Sequence, residues 1–209
     1  MPRDVTHTWF FFGDSLTLGV NDYAMPGGWV SRLYLRGRRE KLYELPPATF
    51  YNLGARRQTT AAVAARFEAE VQARQMPGIV QRLLFCTGVV DMAGPTGTEP
   101  GAVHKAAADL ETLLERATKL APTLVVCPPP VANVTLRQRI AELCAAQVDV
   151  CARLGVDCVN IHAALASDAE YMEDLTDGLH PGPTGCSVLA ERLFADPRVR
   201  AFLTPASNE

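Results

Sequence analysis

The chain has 209 residues and a formal net charge of −3, and 48% of its residues are hydrophobic while 21% are charged. This length and composition are typical of a globular protein with a substantial core, so we expect one domain spanning residues 1–209. The charge leaves no basic footprint for nucleic acid, and no stretch approaches the ~20 apolar residues of a membrane-spanning helix. We therefore expect no nucleic-acid partner and no stable membrane insertion.

The N-terminal apolar run and the cysteines indicate the cellular compartment. Residues 9–12 are too few for the core of a signal peptide, and no small-residue cleavage site follows them. The sequence therefore favours a cytoplasmic protein, in which the six cysteines would be free thiols. Because no C-x-x-C pair occurs, we expect the cysteines to pack in the core, and we expect no metal or other cofactor.

Five short apolar runs are predicted to be β-strands, and longer segments separate them. The runs are continuous and do not alternate with polar residues, which is typical of strands buried on both faces. The predicted strands are residues 8–13, 48–53, 82–87, 123–127 and 156–160.

The intervening segments show the 3.6-residue period of α-helices. Val63, Phe67 and Val71 share one helix face, Gly155 stands at the expected end of another helix, and a final helix is expected over residues 184–195. Alternating strands and helices predict right-handed βαβ units and a parallel sheet covered on both faces. We expect a flavodoxin-like three-layer α/β/α sandwich with a five-stranded parallel sheet.

Ser15 directly follows the first predicted strand, in the stretch Gly13-Asp14-Ser15-Leu16. If the strand order is 2-1-3-4-5, the crevice between strands one and three is the topological switch point, where ligands bind. A lone serine after a strand more often caps a helix. A nucleophilic serine also needs a base, and the base needs a group that orients it.

Among the four histidines, His180 has the sequence context that best fits such a base. It lies in Asp177-Gly178-Leu179-His180-Pro181, a turn-rich loop before the last predicted helix. Asp177 can reach the Nδ1 atom of His180 and leave Nε2 facing a nucleophile. The D-x-x-H pattern is weak alone, but it becomes much more specific together with a serine predicted at the same sheet edge.

Four sequence blocks resemble those of the GDSL, or SGNH, hydrolases, and they occur in the family's order across residues 13–181. The blocks are Gly13-Asp14-Ser15-Leu16, Asn52-Leu53-Gly54, Gly88-Val89-Val90-Asp91 and Asp177-Gly178-Leu179-His180-Pro181. The resemblance implies a flavodoxin-like sandwich and metal-free esterase or acylhydrolase activity. It also implies a Ser-Asp-His triad at Ser15, Asp177 and His180.

The second block leaves open which residue completes the oxyanion hole. The resemblance implies backbone N–H donors from Ser15 and from a glycine of this block. Gly54 is the obvious glycine, whereas counting on from Asn52 places the donor at Arg57. A backbone donor survives a change of side chain if the residue keeps the required conformation.

The third block departs from the family pattern more seriously. It usually reads G-x-N-D, with the Asn amide donating to the oxyanion, but Val90 occupies that position here. Losing one such donor typically costs about 10²–10³ in rate. Three explanations remain open: Asn133 replaces the amide, the protein is a weakened or repurposed relative, or Val90 is not the native residue.

The predicted function is a serine hydrolase that cleaves small carboxylic esters or thioesters through an acyl-enzyme. Asp14, Val131 and Asn133 are candidate substrate contacts. The alternatives are acyl transfer, a non-catalytic ligand-binding relative (favoured by Val90) and a flavin carrier that uses the same sheet edge. The absence of a G-x-S-x-G elbow argues against the larger α/β-hydrolase fold. The oligomeric state is left open.

Overall fold

The computed structural model describes residues 6–43 and 48–205, and its centre is one parallel sheet. All five predicted strands are present, in the order β2-β1-β3-β4-β5. They are β1 (Thr6–Gly13), β2 (Ala48–Gly54), β3 (Ile79–Cys86), β4 (Thr123–Val126) and β5 (Asp157–Val159). The largest difference in position is at β3, which begins at residue 79 and not at residue 82.

Helices connect the strands and cover both faces of the sheet. Within the described ranges they are α1 (Ser15–Leu18), α2 (Gly28–Arg39), α3 (Thr60–Gln72), α4 (Val89–Ala93), α5 (Ala102–Leu120), α6 (Val134–Leu154), α7 (His162–Ala166), α8 (Ala169–Glu173), α9 (Pro183–Ala195) and α10 (Pro197–Leu203). A short 3₁₀ helix, Pro95–Thr98, lies in a segment that the sequence predicts as loop. The final predicted helix is followed by α10, which the sequence pattern does not predict.

The interior strand β1, between β2 and β3, is buried on both faces, which explains its continuous apolar run. Trp9 and Phe11 pack into the core beneath α2 and α9, while Phe10 and Phe12 pack into the core beneath α3, α5 and α6. All four side chains are 0% exposed. Successive side chains of a strand point to opposite faces, so each face requires its own apolar set.

The strand order and the two helix layers confirm the predicted flavodoxin-like three-layer sandwich. Because all strands are parallel, their carboxyl ends lie at one edge, which we call the C-terminal edge. All six cysteines are free and buried, as the sequence predicts. In the part of the chain described here, no helix combines the length and apolarity needed to cross a membrane.

Candidate active site

The turn after β1 presents Ser15 at the C-terminal edge. Ser15 is the first residue of α1, and Asp14 caps this helix by accepting a hydrogen bond from the Leu16 N–H at 2.9 Å. Gly13 is required because a Cβ atom there would lie 2.3 Å from the Cys86 carbonyl oxygen. Since Asp14 provides the cap, the Ser15 hydroxyl is free for another partner.

Ser15, His180 and Asp177 form a chain of short hydrogen bonds. Ser15 Oγ lies 2.7 Å from His180 Nε2, and His180 Nδ1 lies 2.7 Å from Asp177 Oδ2. The other carboxylate oxygen, Oδ1, accepts the backbone N–H groups of Leu179 at 2.9 Å and His180 at 2.7 Å. The structure thus brings the three predicted triad residues together.

The charge of Asp177 favours the imidazole tautomer that a general base needs. Burial raises the pKa of Asp177, but hydrogen bonds from the His180 backbone, the His180 ring and the Leu179 backbone outweigh it and hold this pKa well below its usual range. An ionised carboxylate accepts the Nδ1 proton and leaves Nε2 as the acceptor for the Ser15 hydroxyl. We infer this tautomer from the hydrogen-bond partners.

The loop that carries His180, residues 174–182 between α8 and α9, is held by two neighbouring loops. Asn21 Nδ2 donates to the His180 carbonyl oxygen at 3.3 Å. The Ala132 N–H donates to the Gly178 carbonyl oxygen at 2.9 Å. These contacts fix the imidazole relative to Ser15 before any substrate binds, which is the condition for efficient positioning.

A cavity of about 470 Å³ opens at Ser15 and His180. Its volume is in the range of small-molecule sites. Its apolar walls are Leu16, Val89, Val90, Ala93, Pro95 and Leu179. Besides Ser15 and His180, the polar residues that line the cavity are Arg56 and Arg57. The site therefore combines an apolar surface with two exposed arginine residues.

Gly54, the first candidate for the second oxyanion donor, has a structural role. Its N–H donates to Asn52 Oδ1 at 3.0 Å, and it does not line the cavity. A Cβ at Gly54 would lie 2.3 Å from the Leu18 nitrogen, so the glycine is explained by the close approach of α1. The amide nitrogen of Asn52 strengthens this junction by donating to the Thr17 carbonyl oxygen at 2.8 Å.

Arg57, the second candidate, has the backbone conformation expected of a glycine. Its φ is 60°, in the left-handed region, and it lines the cavity. Within residues 6–43 and 48–205, the backbone N–H groups of Arg57 and Ser15 have no protein acceptor. Two backbone donors are therefore available at the cavity, and Arg57 fits the second position better than Gly54.

Val90 lines the cavity at the position where the family pattern has an amide. Gly88 and Asp91, the other family-pattern residues of the block Gly88-Val89-Val90-Asp91, have clear structural roles. Gly88, with φ 127°, begins the turn, and a Cβ there would lie 2.6 Å from Leu143 Cδ2. The Asp91 carboxylate accepts hydrogen bonds from the N–H of Thr60 and from its hydroxyl, both at 3.0 Å. The departure from the pattern is thus confined to the missing donor.

The structure does not bring the three predicted substrate contacts to the cavity. Asn133 is exposed and caps α6 by accepting the Leu136 N–H at 2.9 Å, so it does not replace the missing amide. Val131 is 0% exposed in the core, and Asp14 is 2% exposed. In this structure each of the three side chains is engaged in capping a helix or in packing, and none of them lines the cavity.

Sequence reasoning missed the two arginine side chains as part of the site. Arg56 and Arg57 follow β2 in the loop to α3, at the same edge as Ser15. Their position directly after a predicted parallel strand was the available signal, because loops at strand carboxyl ends form the ligand sites of such sheets. In the described ranges, no group of three or more His, Cys, Asp or Glu residues is arranged to hold a metal ion.

Comparison with known families matches residues 11–188 to the GDSL-like Lipase/Acylhydrolase family. No curated protein matches the sequence.

Three solved structures illustrate the shared fold. A catalytic mutant of an acetylxylan esterase from Geobacillus stearothermophilus has a TM-score of 0.72 at 16% identity, covering 99% of this chain and 100% of that chain. LAE5, an alpha/beta hydrolase enzyme from the metagenome of Lake Arreo, Spain, has a TM-score of 0.73 at 17% identity, covering 96% and 98%. A member of the lipolytic protein G-D-S-L family from Veillonella parvula has a TM-score of 0.70 at 14% identity, covering 92% and 99%.

The acetylxylan esterase was solved as three different catalytic mutants. They replace a serine, an aspartate or a histidine by alanine, and its aspartate lies three positions before its histidine. In this chain, Asp177 also lies three positions before His180.

The buried cap Asp14 generates a prediction about stability. Burial and the charge of Asp91 raise the pKa of Asp14 to about 7, against the opposing hydrogen bond from the Leu16 N–H. The folded protein therefore keeps a proton that the unfolded chain releases near pH 3.8, so this group makes stability fall as the pH rises from about 4 to about 7. We expect Asp14→Asn, which keeps a neutral cap, to gain stability relative to the wild type over this range.

Denaturant unfolding of both proteins across this pH range measures the difference in the free energy of unfolding. A difference that stays constant with pH would show that Asp14 does not retain its proton in the folded state.

Proposed function

Because the chain belongs to the GDSL-like Lipase/Acylhydrolase family, we propose that it is a serine hydrolase of small carboxylic esters or thioesters. The observation that carries the proposal is the chain of 2.7 Å hydrogen bonds from Ser15 through His180 to Asp177, beside a cavity of about 470 Å³. The neighbouring acetylxylan esterase structures support ester hydrolysis as the reaction class.

In the proposed mechanism, His180 Nε2 takes the Ser15 hydroxyl proton as Oγ attacks the acyl carbonyl carbon. Asp177 orients the ring and stabilises the imidazolium that forms. The tetrahedral oxyanion is bound by the N–H groups of Ser15 and Arg57. His180 then returns the proton to the leaving alcohol or thiol. In the second half-reaction, His180 deprotonates a water that attacks the acyl-enzyme, and the free acid and Ser15 are regenerated.

Val90 makes the proposed oxyanion hole weaker than the family pattern. Two backbone donors remain where the pattern provides an additional side-chain amide. The absence of one donor costs about 10²–10³ in rate in comparable sites. We therefore propose retained but slow hydrolysis.

Two further functions use the same site. Val90 favours a non-catalytic relative that binds an acyl or sugar ligand without turning it over. The same triad also supports acyl transfer, in which an alcohol takes the place of water. The hydrogen-bonded triad favours catalysis over binding alone, and analysis of the products separates hydrolysis from transfer.

The proposed nucleophile generates a prediction about activity. Ser15→Ala should lower kcat for 4-nitrophenyl acetate by about 10³-fold or more, because the attacking atom is removed. A fluorophosphonate probe should label the wild type and not this variant. Ser167→Ala is a matched control, because Ser167 is exposed and its hydroxyl donates to the Ala163 and Ala164 carbonyl oxygens, at 3.2 and 3.1 Å.

Wild-type turnover retained in Ser15→Ala would refute the assignment of the nucleophile. A wild type that neither reacts with the probe nor hydrolyses esters would support the non-catalytic ligand-binding relative.

The missing side-chain donor at Val90 generates another prediction. Val90→Asn should raise kcat for the same ester by about tenfold or more, because the amide restores a donor to the oxyanion. Val90→Leu is the control, since leucine has nearly the shape of asparagine without a hydrogen-bond donor. If the two variants show equal kcat values, the side chain at this position does not limit oxyanion stabilisation.

A further inference from the structure

Arg56 and Arg57 make the candidate catalytic cavity cationic. Of the described residues that line it, none is an aspartate or a glutamate. This local charge is opposite in sign to the net charge of the chain, −3. The nearby Asp177 carboxylate accepts a hydrogen bond from His180 Nδ1, at 2.7 Å.

Neither guanidinium has a partner within residues 6–43 and 48–205, because neither forms an ion pair or a side-chain hydrogen bond there. Some arginines of the chain are paired, as Arg32 is with Asp22 at 2.7 Å and Arg192 with Asp168 at 2.8 Å. Arg56 and Arg57 are exposed and differ from these in lining the cavity without such a partner. Two adjacent like charges repel each other, and a bound anion relieves that repulsion.

The loop that carries the two arginines is fixed at both ends. The Ala55 N–H donates to the Gly13 carbonyl oxygen at 3.1 Å, directly beside the nucleophile turn. Gln58 Oε1 accepts from Arg66 Nε at 3.3 Å, and Thr59 caps α3. The backbone of Arg56 and Arg57 is therefore held in place at the cavity before a ligand binds.

The backbone conformation of Arg57 bears on which part of the residue acts at the cavity. Its φ of 60° lies in the left-handed region, which is unfavourable for a long side chain and favours glycine or asparagine. A backbone donor alone requires only the conformation, which a glycine would supply at lower cost. Lys41, outside the cavity, has a similar φ of 55°, so this conformation supports the backbone donor of Arg57, and the role of the guanidinium rests on its position at the cavity.

We propose that the ester substrate carries a second, anionic group, a carboxylate or a phosphate, away from the reacting carbonyl, and that Arg56 and Arg57 bind this group. The proposal rests on the proposed hydrolase function and names the substrate class of the same site. The planar guanidinium matches the geometry of both anions and binds them through two parallel hydrogen bonds. The apolar walls, including Val90 and Leu179, accommodate the hydrocarbon part of the ester.

The test compares three acetyl esters of para-substituted phenols: 4-acetoxybenzoate, 4-acetoxyphenyl phosphate and the neutral methyl 4-acetoxybenzoate. The readout is the ratio of kcat/KM for each anionic ester to that for the neutral ester. It is measured in the wild type and in the double variant Arg56→Gln/Arg57→Gln. Comparing ratios cancels the intrinsic reactivity of each ester and any general effect of the substitutions on catalysis.

We expect at least one anionic ester to lose about tenfold in this ratio in the double variant, the size of a charge-assisted hydrogen bond in a partly exposed site. The preference should also weaken with added salt. The anion with the larger arginine-dependent preference identifies the recognised group. Arg39→Gln, which removes an exposed positive charge at the end of α2, should leave the ratios unchanged. Equal ratios in the wild type and the double variant overturn the proposal.

A binding measurement separates this proposal from the hydrolase assignment. In Ser15→Ala, the unreactive amide 4-acetamidobenzoate should bind about tenfold more tightly than its methyl ester by calorimetry, if the carboxylate is the preferred anion. The amide 4-acetamidophenyl phosphate makes the same comparison for phosphate. The preference should disappear when both arginines are also replaced. If neither anion binds more tightly than the methyl ester, the anion proposal fails while the role of Ser15 in hydrolysis is unaffected.

Discussion

One hydrogen bond, between Ser15 Oγ and His180 Nε2 at 2.7 Å, joins parts of the chain that are 165 residues apart in sequence. In the proposed mechanism neither residue acts without the other, because a neutral serine is a poor nucleophile and an imidazole base needs a proton to accept. The surrounding structure holds each of the two atoms in place. Ser15 directly follows the interior strand β1, and His180 lies on a loop that is hydrogen-bonded to two neighbouring loops.

The parallel sheet positions Ser15 for its contact with His180. The aromatic side chains of β1 fill both cores, so the end of that strand is fixed by packing on two faces. Gly13 and Gly54 let the nucleophile turn approach β3 and β2 closely, since a Cβ at either position would overlap backbone atoms. Ser15 and the arginine loop lie at the same edge because β1 and β2 both end there, and the loop after α8 brings His180 to Ser15.

The fold, and the proximity of Ser15, Asp177 and His180, were predictable from the sequence because their signals are local. Continuous apolar runs, helical periodicity and a D-x-x-H turn each occupy only a few neighbouring residues. The oxyanion donor was not predictable. The choice between Gly54 and Arg57 depends on a φ angle and on whether Asn52 already binds the Gly54 N–H. The sequence also did not show that Asn133 caps α6, since a helix cap and an active-site amide use the same residue type. The two arginine side chains were overlooked because adjacent charged residues in a loop are usually just solvated.

The most direct test of the claim that Ser15 is the nucleophile is to trap the acyl-enzyme. The protein would be quenched with acid during turnover of 4-nitrophenyl acetate, digested and mapped by tandem mass spectrometry. An acetyl group on the Ser15 side chain, present in the wild type and absent in Asp177→Asn/His180→Ala, is the predicted result. Ester turnover with the acetyl group only on other residues would contradict the claim.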